Sequence, residues 1–182
     1  MGGGTAAAIQ DSFATQKPMT MNRQAHELDH RIVGDDMQCV EITLDPGETV
    51  VAEAGTMMMM DEGIVMQTIF GDGRGQEQGF LGKMLSAGKR VLTGESLFMT
   101  TYTNQAPARR TAWFAAAYPG KIMPLDLRDY QGKLVCQKDS FLAAAKGVSI
   151  GIEFQKRIGA GLFGGEGFIM QKLEGDGQVY IH

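Results

Sequence analysis

Apolar and polar residues alternate along most of the chain from about residue 25, which predicts a succession of short β-strands. Leu28, His30 and Ile32 fall on alternate positions, as do Val40 and Leu44 before a Pro-Gly turn. The same pattern predicts eight further strands, at residues 49–53, 56–60, 64–68, 97–103, 112–118, 133–137, 148–154 and 168–173. Many short strands at this spacing indicate an all-β fold, a sandwich or a barrel.

The chain also repeats itself. The segment Gly94-Glu95-Ser96-Leu97-Phe98-Met99 returns as Gly165-Glu166-Gly167-Phe168-Ile169-Met170 at an offset of 71 residues, while offsets of 85 and 84 relate Gly47 to Gly132 and Gly63 to Gly147. These landmarks keep their order, which predicts repeated antiparallel β modules. The turns that the repeats share are predicted at Gly47, Gly94, Glu95, Gly132, Gly165 and Glu166.

The repeat suggests boundaries along the chain. We expect a disordered tail at residues 1–24, which are rich in Gly, Ala and Thr, a first module at 25–110 and a second at 111–176. Residues 177–182 resemble the start of a third module, so the chain is predicted to be truncated there. An unfilled third position would leave a strand that another copy can pair with, which predicts a homo-oligomer.

The first module carries 13 more residues than the second between its shared strands, and this insertion holds the one good helix candidate, at about 79–92. One side of that helix would be apolar and the other basic, as in helices that dock on a protein partner or on an anionic membrane surface. In the alternative interpretation, the apolar side only covers the open end of the β module. The candidate interaction surface consists of Phe80, Leu81, Lys83, Met84, Lys89 and Arg90.

Composition narrows the class of protein. Hydrophobic residues make up 43% of the 182 residues and charged residues 21%, which excludes wholesale disorder. The formal net charge of −4 makes nucleic acid an unlikely partner, since a phosphate backbone is bound by excess positive charge. The sequence shows no targeting signal or apolar run of about 20 residues, and Cys39 and Cys136 fit small buried thiols, so we expect a cytoplasmic protein.

Two motifs invite a chemical interpretation and neither supports one. His26-Glu27-Leu28-Asp29-His30 matches a zinc-protease string, but that string requires a helix, and the alternation here predicts a strand that separates the two imidazoles by about 13 Å. Met57-Met58-Met59-Met60 offers thioethers for copper, but a strand would point at most two of them to one side, so core filling is favoured. We therefore predict no catalytic residues, no metal site and no cofactor.

A set of motifs in fixed order resembles a known family. The segments are Met37-Gln38-Cys39-Val40-Glu41-Ile42-Thr43-Leu44-Asp45-Pro46-Gly47-Glu48, Ala52-Glu53-Ala54-Gly55-Thr56-Met57-Met58, Gly94-Glu95-Ser96, Tyr118-Pro119-Gly120-Lys121 and Gly165-Glu166-Gly167. Together they are similar to the mitochondrial biogenesis proteins named for altered inheritance of mitochondria, and most of all to the bacterial branch of that family. The resemblance implies a fold like that of the trp RNA-binding attenuation protein, with stacked β modules related to a double-stranded β-helix. It supplies no catalytic residues.

Three functions remain open at this point. The resemblance and the repeat favour a non-enzymatic β scaffold that self-associates and acts through its surface, with a membrane or a protein as its partner. A small-molecule-binding β module or an enzyme is the alternative, because β modules often enclose a ligand. An RNA-binding module follows from fold analogy alone, which is weak support for a function.

Overall fold

The computed structural model describes residues 23–70, 98–155 and 168–182, and nearly all regular structure in these ranges is β. Two 3-10 helices, Leu127–Tyr130 and Lys138–Ser140, are single turns. The thirteen strands are β1 (Asp29–Val33), β2 (Cys39–Leu44), β3 (Thr49–Glu53), β4 (Met57–Met60), β5 (Ile64–Phe70), β6 (Phe98–Asn104), β7 (Arg110–Phe114), β8 (Met123–Asp126), β9 (Lys133–Gln137), β10 (Phe141–Ala145), β11 (Ser149–Gln155), β12 (Phe168–Glu174) and β13 (Gln178–Ile181). The predicted all-β class is confirmed, and the predicted helix at 79–92 lies outside the described residues.

The strands form three open, antiparallel sheets. The first sheet has the order β1-β2-β7-β4, the second β5-β6-β3-β10-β13-β8 and the third β11-β12-β9. Neighbouring strands in all three sheets run antiparallel. Only β1 and β2, β5 and β6, and β11 and β12 are consecutive strands that pair with each other, so most of the pairing joins strands that are distant in the sequence.

The order of the strands repeats within the chain. In the first half, β2-β7-β4 are neighbours in one sheet and β3-β6-β5 are neighbours in another; in the second half, β8-β13-β10 and β9-β12-β11 show the same two orders. The additional strand β1 flanks β2, and the pairing of β3 with β10 joins one sheet from each half. The predicted repeat of antiparallel β modules is therefore confirmed by the strand pairing.

The pairing registers agree with the sequence offsets. Thr49 pairs with Thr103 in the first half and Lys133 pairs with Glu174 in the second, positions that are related by the offsets of 84 and 71 residues. Gly63 and Gly147, in the turns before β5 and β11, have φ values of 95° and 108°, which residues with a Cβ rarely adopt. Each half therefore has glycine at the corresponding turn, because the backbone there has a positive φ.

The strand pairing also bears on the boundaries between modules. The sequence interpretation assigns residues 111–176 to a second module and 177–182 to a third. In the structure, β7 pairs with β2 and β4, and β13 pairs with β10 and β8. Because β13 has a partner on both sides, it offers no free edge, and the argument for self-association from an unpaired last strand does not hold.

The middle of the six-stranded sheet is covered on both of its faces. All five side chains of β10 are buried, as are those of β3 from Thr49 to Ala52. Tyr102 of β6 contacts Phe114 of β7 edge to face, with ring centroids 5.1 Å apart, so the first sheet packs against the second. Burial from two sides selects an uninterrupted apolar run in place of the usual alternation.

All ten predicted strands occur in the structure, and three more were missed. The run Phe141-Leu142-Ala143-Ala144-Ala145 of β10 gave no signal because both of its faces are buried. The short strand β8 contains Pro124, which argues against a strand anywhere but at a sheet edge, and β8 is an edge strand. From the sequence, residues 177–182 are placed in a third module with no predicted strand pairing; in the structure β13 pairs with β10 and β8.

Candidate interaction surface

The interaction surface predicted from the helix candidate cannot be placed. Phe80, Leu81, Lys83, Met84, Lys89 and Arg90 all lie outside the described residues, as do the predicted turn residues Gly94, Glu95, Gly165 and Glu166. The remaining two turn residues, Gly47 and Gly132, have φ values of 85° and 78°, which explains why glycine occupies both turns.

The two histidines of the zinc-protease string do not form a metal site. His30 lies in β1 and His26 precedes that strand, so the helix that the string requires is not formed. The Nδ1 atom of His26 accepts a hydrogen bond from the backbone N–H of Thr49 at 3.0 Å, and His30 packs edge to face on Tyr180 at 5.1 Å. Within the described ranges, no three His, Cys, Asp or Glu side chains are placed to hold a metal ion.

The hydrogen bond to Thr49 makes His26 a structural histidine. Its own backbone N–H donates to the Lys146 carbonyl oxygen at 2.9 Å, so His26 ties the start of β3 to the residue that follows β10. Burial, and secondarily the positive charge of Lys146, lowers the pKa of His26 below its usual 6.5. The neutral imidazole is therefore the form that the fold prefers.

We expect this preference to make stability depend on pH. Because the folded pKa is depressed, the unfolded chain binds the proton more readily, so the free energy of unfolding falls as the pH drops below 6.5 towards the folded pKa. The His26→Asn variant keeps an acceptor at the position of Nδ1 but does not titrate. Urea unfolding of the wild type and of His26→Asn at pH 7.5 and 5.5 measures how much stability each loses on acidification. We expect the wild type to lose more, and an equal loss in the two proteins would contradict a role of His26.

The buried cysteine, Cys136, does not have the environment of a nucleophile. Cys39 is half-buried, Cys136 is buried, and both are unpaired, as predicted. Burial, aided by the negative charge of Glu53, raises the pKa of the Cys136 thiol to about 11. A thiol that stays protonated at neutral pH is a poor nucleophile and a poor metal ligand.

The four consecutive methionines divide into two pairs, and the predicted alternation is wrong for this strand. Met57 and Met60 pack against the core, whereas Met58 and Met59 are exposed. The cause is a bulge, since the register between β4 and β7 shifts between Met57 and Met59. Core filling thus accounts for only two of the four side chains.

Besides Val33 and Tyr130, the exposed large apolar side chains of the described residues fall in two groups along the chain. One comprises Met58 and Met59 of β4 with Val65 and Met66 of β5. The other surrounds the bridge between Met37 and Gly120; its members are Met37, Tyr118 and Met123, exposed by 72%, 76% and 49%. Because large apolar side chains are usually buried, we take both groups as candidates for contact with another molecule.

Of the six edge strands in the described part of the chain, β5 is the least protected. Natural edge strands are usually blocked by charges, proline, bulges or short length. The other five edge strands each carry such a feature: Asp29 and Arg31 in β1, the bulge in β4, Pro124 and Asp126 in β8, Lys133 in β9 and Glu153 in β11. By contrast, β5 is seven residues long and has neither charge nor proline.

Most of the described side chains of β5 are exposed, and one of its two long sides has no described neighbour. The four residues from Val65 to Thr68 are all exposed, Val65 by 36% and Met66 by 45%. Among the described residues, β5 pairs with β6 alone, so no described strand bonds to the backbone groups on its other side. The uncharged run Ile64-Val65-Met66-Gln67-Thr68-Ile69-Phe70 is visible in the sequence, but only the strand order identifies it as an edge.

Comparison with known proteins supports the resemblance inferred from the motifs. Residues 30–182 match the family model described as mitochondrial biogenesis AIM24. A Streptococcus pyogenes protein, solved by crystallography as a structural genomics target, shares the fold with a TM-score of 0.60 and 22% identity, over 85% of this chain and 64% of that chain. This chain therefore spans less than two thirds of the length of that protein. Among curated proteins, no match to this chain was found.

Two further expectations concern the fold likeness and the membrane. The likeness to the trp RNA-binding attenuation protein is not tested by them and stays a prediction. The absence of a membrane-crossing helix holds for the part of the chain that the structure describes, where no helix has the length and apolar character to span a bilayer.

Proposed function

We propose, on the premise that the chain belongs to the mitochondrial biogenesis AIM24 family, that this protein is a non-enzymatic β scaffold that self-associates and acts through its surface. The observation that carries the proposal is β5, an uncharged and exposed strand at the edge of the largest sheet. Such an edge is a template for pairing with another chain.

The side chains capable of chemistry support this proposal over an enzyme. Among the described residues, His26 is engaged by Thr49, His30 packs on Tyr180, and the thiol of Cys136 is held protonated. Each of these groups therefore serves the packing of the fold. The two unpaired cysteines are also compatible with the cytoplasm, which we propose as the location.

The mass of the protein in solution tests the proposal. We expect light scattering on a sizing column at micromolar concentration to give a multiple of the 19.7 kDa chain mass, and Met66→Lys, which adds a charge to the β5 edge, to reduce that mass. Met37→Lys is the matched control, since Met37 is also an exposed methionine but lies on the other apolar group. A wild-type protein that stays monomeric would contradict self-association.

A membrane surface is a second candidate partner of this scaffold. The sequence pattern of residues 79–92, with basic Lys83, Lys89 and Arg90 opposite an apolar side, favours docking on anionic lipid. Sedimentation with anionic vesicles, run on the same samples, separates the two candidates, because edge pairing requires no lipid.

A further inference from the structure

The hydrogen bonds of β5 determine which of its backbone groups are free. The N–H of Gln105 donates to the Gly63 carbonyl oxygen at 2.9 Å, at the position directly before the ladder between β5 and β6. In an antiparallel ladder every second residue is hydrogen-bonded to a given neighbour. Val65, Gln67 and Ile69 therefore bond to β6, and Thr101 Oγ1 also donates to the Gln67 carbonyl oxygen.

The intervening residues direct their backbone groups away from β6. These are Met66 and Thr68, with Ile64 and Phe70 at the two ends of the strand. An antiparallel strand added at this edge would bond to these positions, and at Ile64 it would use the C=O, because the Ile64 N–H donates to the Asp61 carbonyl oxygen at 3.4 Å. When the added strand is a second copy of β5, the register that places Met66 opposite Thr68 gives all four of these residues a hydrogen-bonded partner. A shift of the partner strand by two residues gives only three of them a partner.

This register has two-fold symmetry and places nothing unfavourable at its centre. Gln67 lies opposite Gln67 of the second copy, and Val65 lies opposite Ile69 of the second copy. No like charges meet, because β5 carries no charge. The same operation at β1 would bring a second copy beside the charged side chains of Asp29 and Arg31, a feature that natural edge strands use to discourage pairing.

We propose that β5 pairs antiparallel with β5 of a second copy of this chain about a two-fold axis at Gln67, so that the six-stranded sheets of two copies join into one. This inference rests on the proposed self-association and adds the strand, the register and the symmetry of the contact. A two-fold contact of this kind is self-complementary and closes at a dimer.

Disulfide trapping tests the register directly. Across a non-hydrogen-bonded antiparallel pair the Cα atoms are about 4.5 Å apart, which a disulfide can bridge. In a Cys39→Ser background, we expect Gln67→Cys to form a covalent dimer under mild oxidation as the main product. Met66→Cys and Thr68→Cys should crosslink far less, since each faces the other position, and Arg31→Cys on the exposed edge of β1 is the control.

A charge exchange provides a second test that does not depend on cysteine. Gln67→Lys and Gln67→Glu each place like charges opposite one another at the axis, so each variant alone should lose the dimer mass, while an equal mixture should recover it. If the wild type is a dimer but Arg31→Cys forms the disulfide-linked dimer, this inference is overturned and the proposed self-association stands. The same holds if the wild type is a dimer and both charge variants stay dimeric. A monomeric wild type would overturn both.

Discussion

Truncation of Tyr180 to alanine is expected to lower the free energy of unfolding by about 4 kcal/mol, the usual cost of removing a large buried aromatic side chain. Tyr180 lies in β13, is fully buried and contacts the ring of His30 at 5.1 Å, so it fills the space between the first sheet and the second. Urea unfolding monitored by circular dichroism measures the loss.

The hydroxyl group of the same residue is expected to contribute nothing to stability. No hydrogen-bond partner for the Tyr180 hydroxyl occurs in the described part of the chain, and burial raises the pKa of this phenol. Tyr180→Phe should therefore leave stability unchanged or raise it, because it removes an unsatisfied buried polar group. Tyr102→Phe is the matched control, since the Tyr102 hydroxyl is hydrogen-bonded to Thr100 and its loss should cost about 1 kcal/mol.

The comparison of the two phenylalanine variants distinguishes packing from hydrogen bonding at these sites. If Tyr180→Phe lost more stability than Tyr102→Phe, an ordered water would have to satisfy the Tyr180 hydroxyl. If Tyr180→Ala were as stable as the wild type, the contact between β1 and β13 would not hold the two sheets together.

Much of this fold follows from local sequence signals, and the exceptions share a cause. The strands β2 and β6 alternate because one face of each is buried, and the turns at Gly63 and Gly147 recur because both need positive φ. The strand β10 gave no such signal, because its surroundings in the middle sheet bury both faces. Alternation of apolar and polar residues indicates a strand with one buried face, so it is absent where both faces of the strand are buried.

The interaction surface depends even more on information that lies outside any local window. The composition of β5 is visible in the sequence, but an uncharged strand in the interior of a sheet would be ordinary. It becomes a candidate surface only because β5 is at the end of the order β5-β6-β3. The bulge that exposes Met58 and Met59 likewise depends on pairing with β7, which follows 50 residues later.

Asn104 is expected to be the most sensitive polar residue of the first half, because its side chain makes three hydrogen bonds while fully buried. Its Nδ2 atom donates to the carbonyl oxygens of Leu44 and Ala108, both at 2.9 Å, and its Oδ1 atom accepts from the N–H of Ala106 at 2.9 Å. The amide thereby joins the end of β2 to the loop between β6 and β7.

Replacement of this amide leaves its three backbone partners without a hydrogen bond. At about 1 kcal/mol for each, Asn104→Ala should lower the free energy of unfolding by about 3 kcal/mol. Gln105→Ala is the control, because Gln105 is adjacent and exposed, and its loss should stay within about 0.5 kcal/mol. The two variants are compared by urea unfolding. A similar small loss in both would mean that water replaces the amide, and that the loop from Gln105 to Arg109 is held by its ion pairs with Asp29 and Asp45.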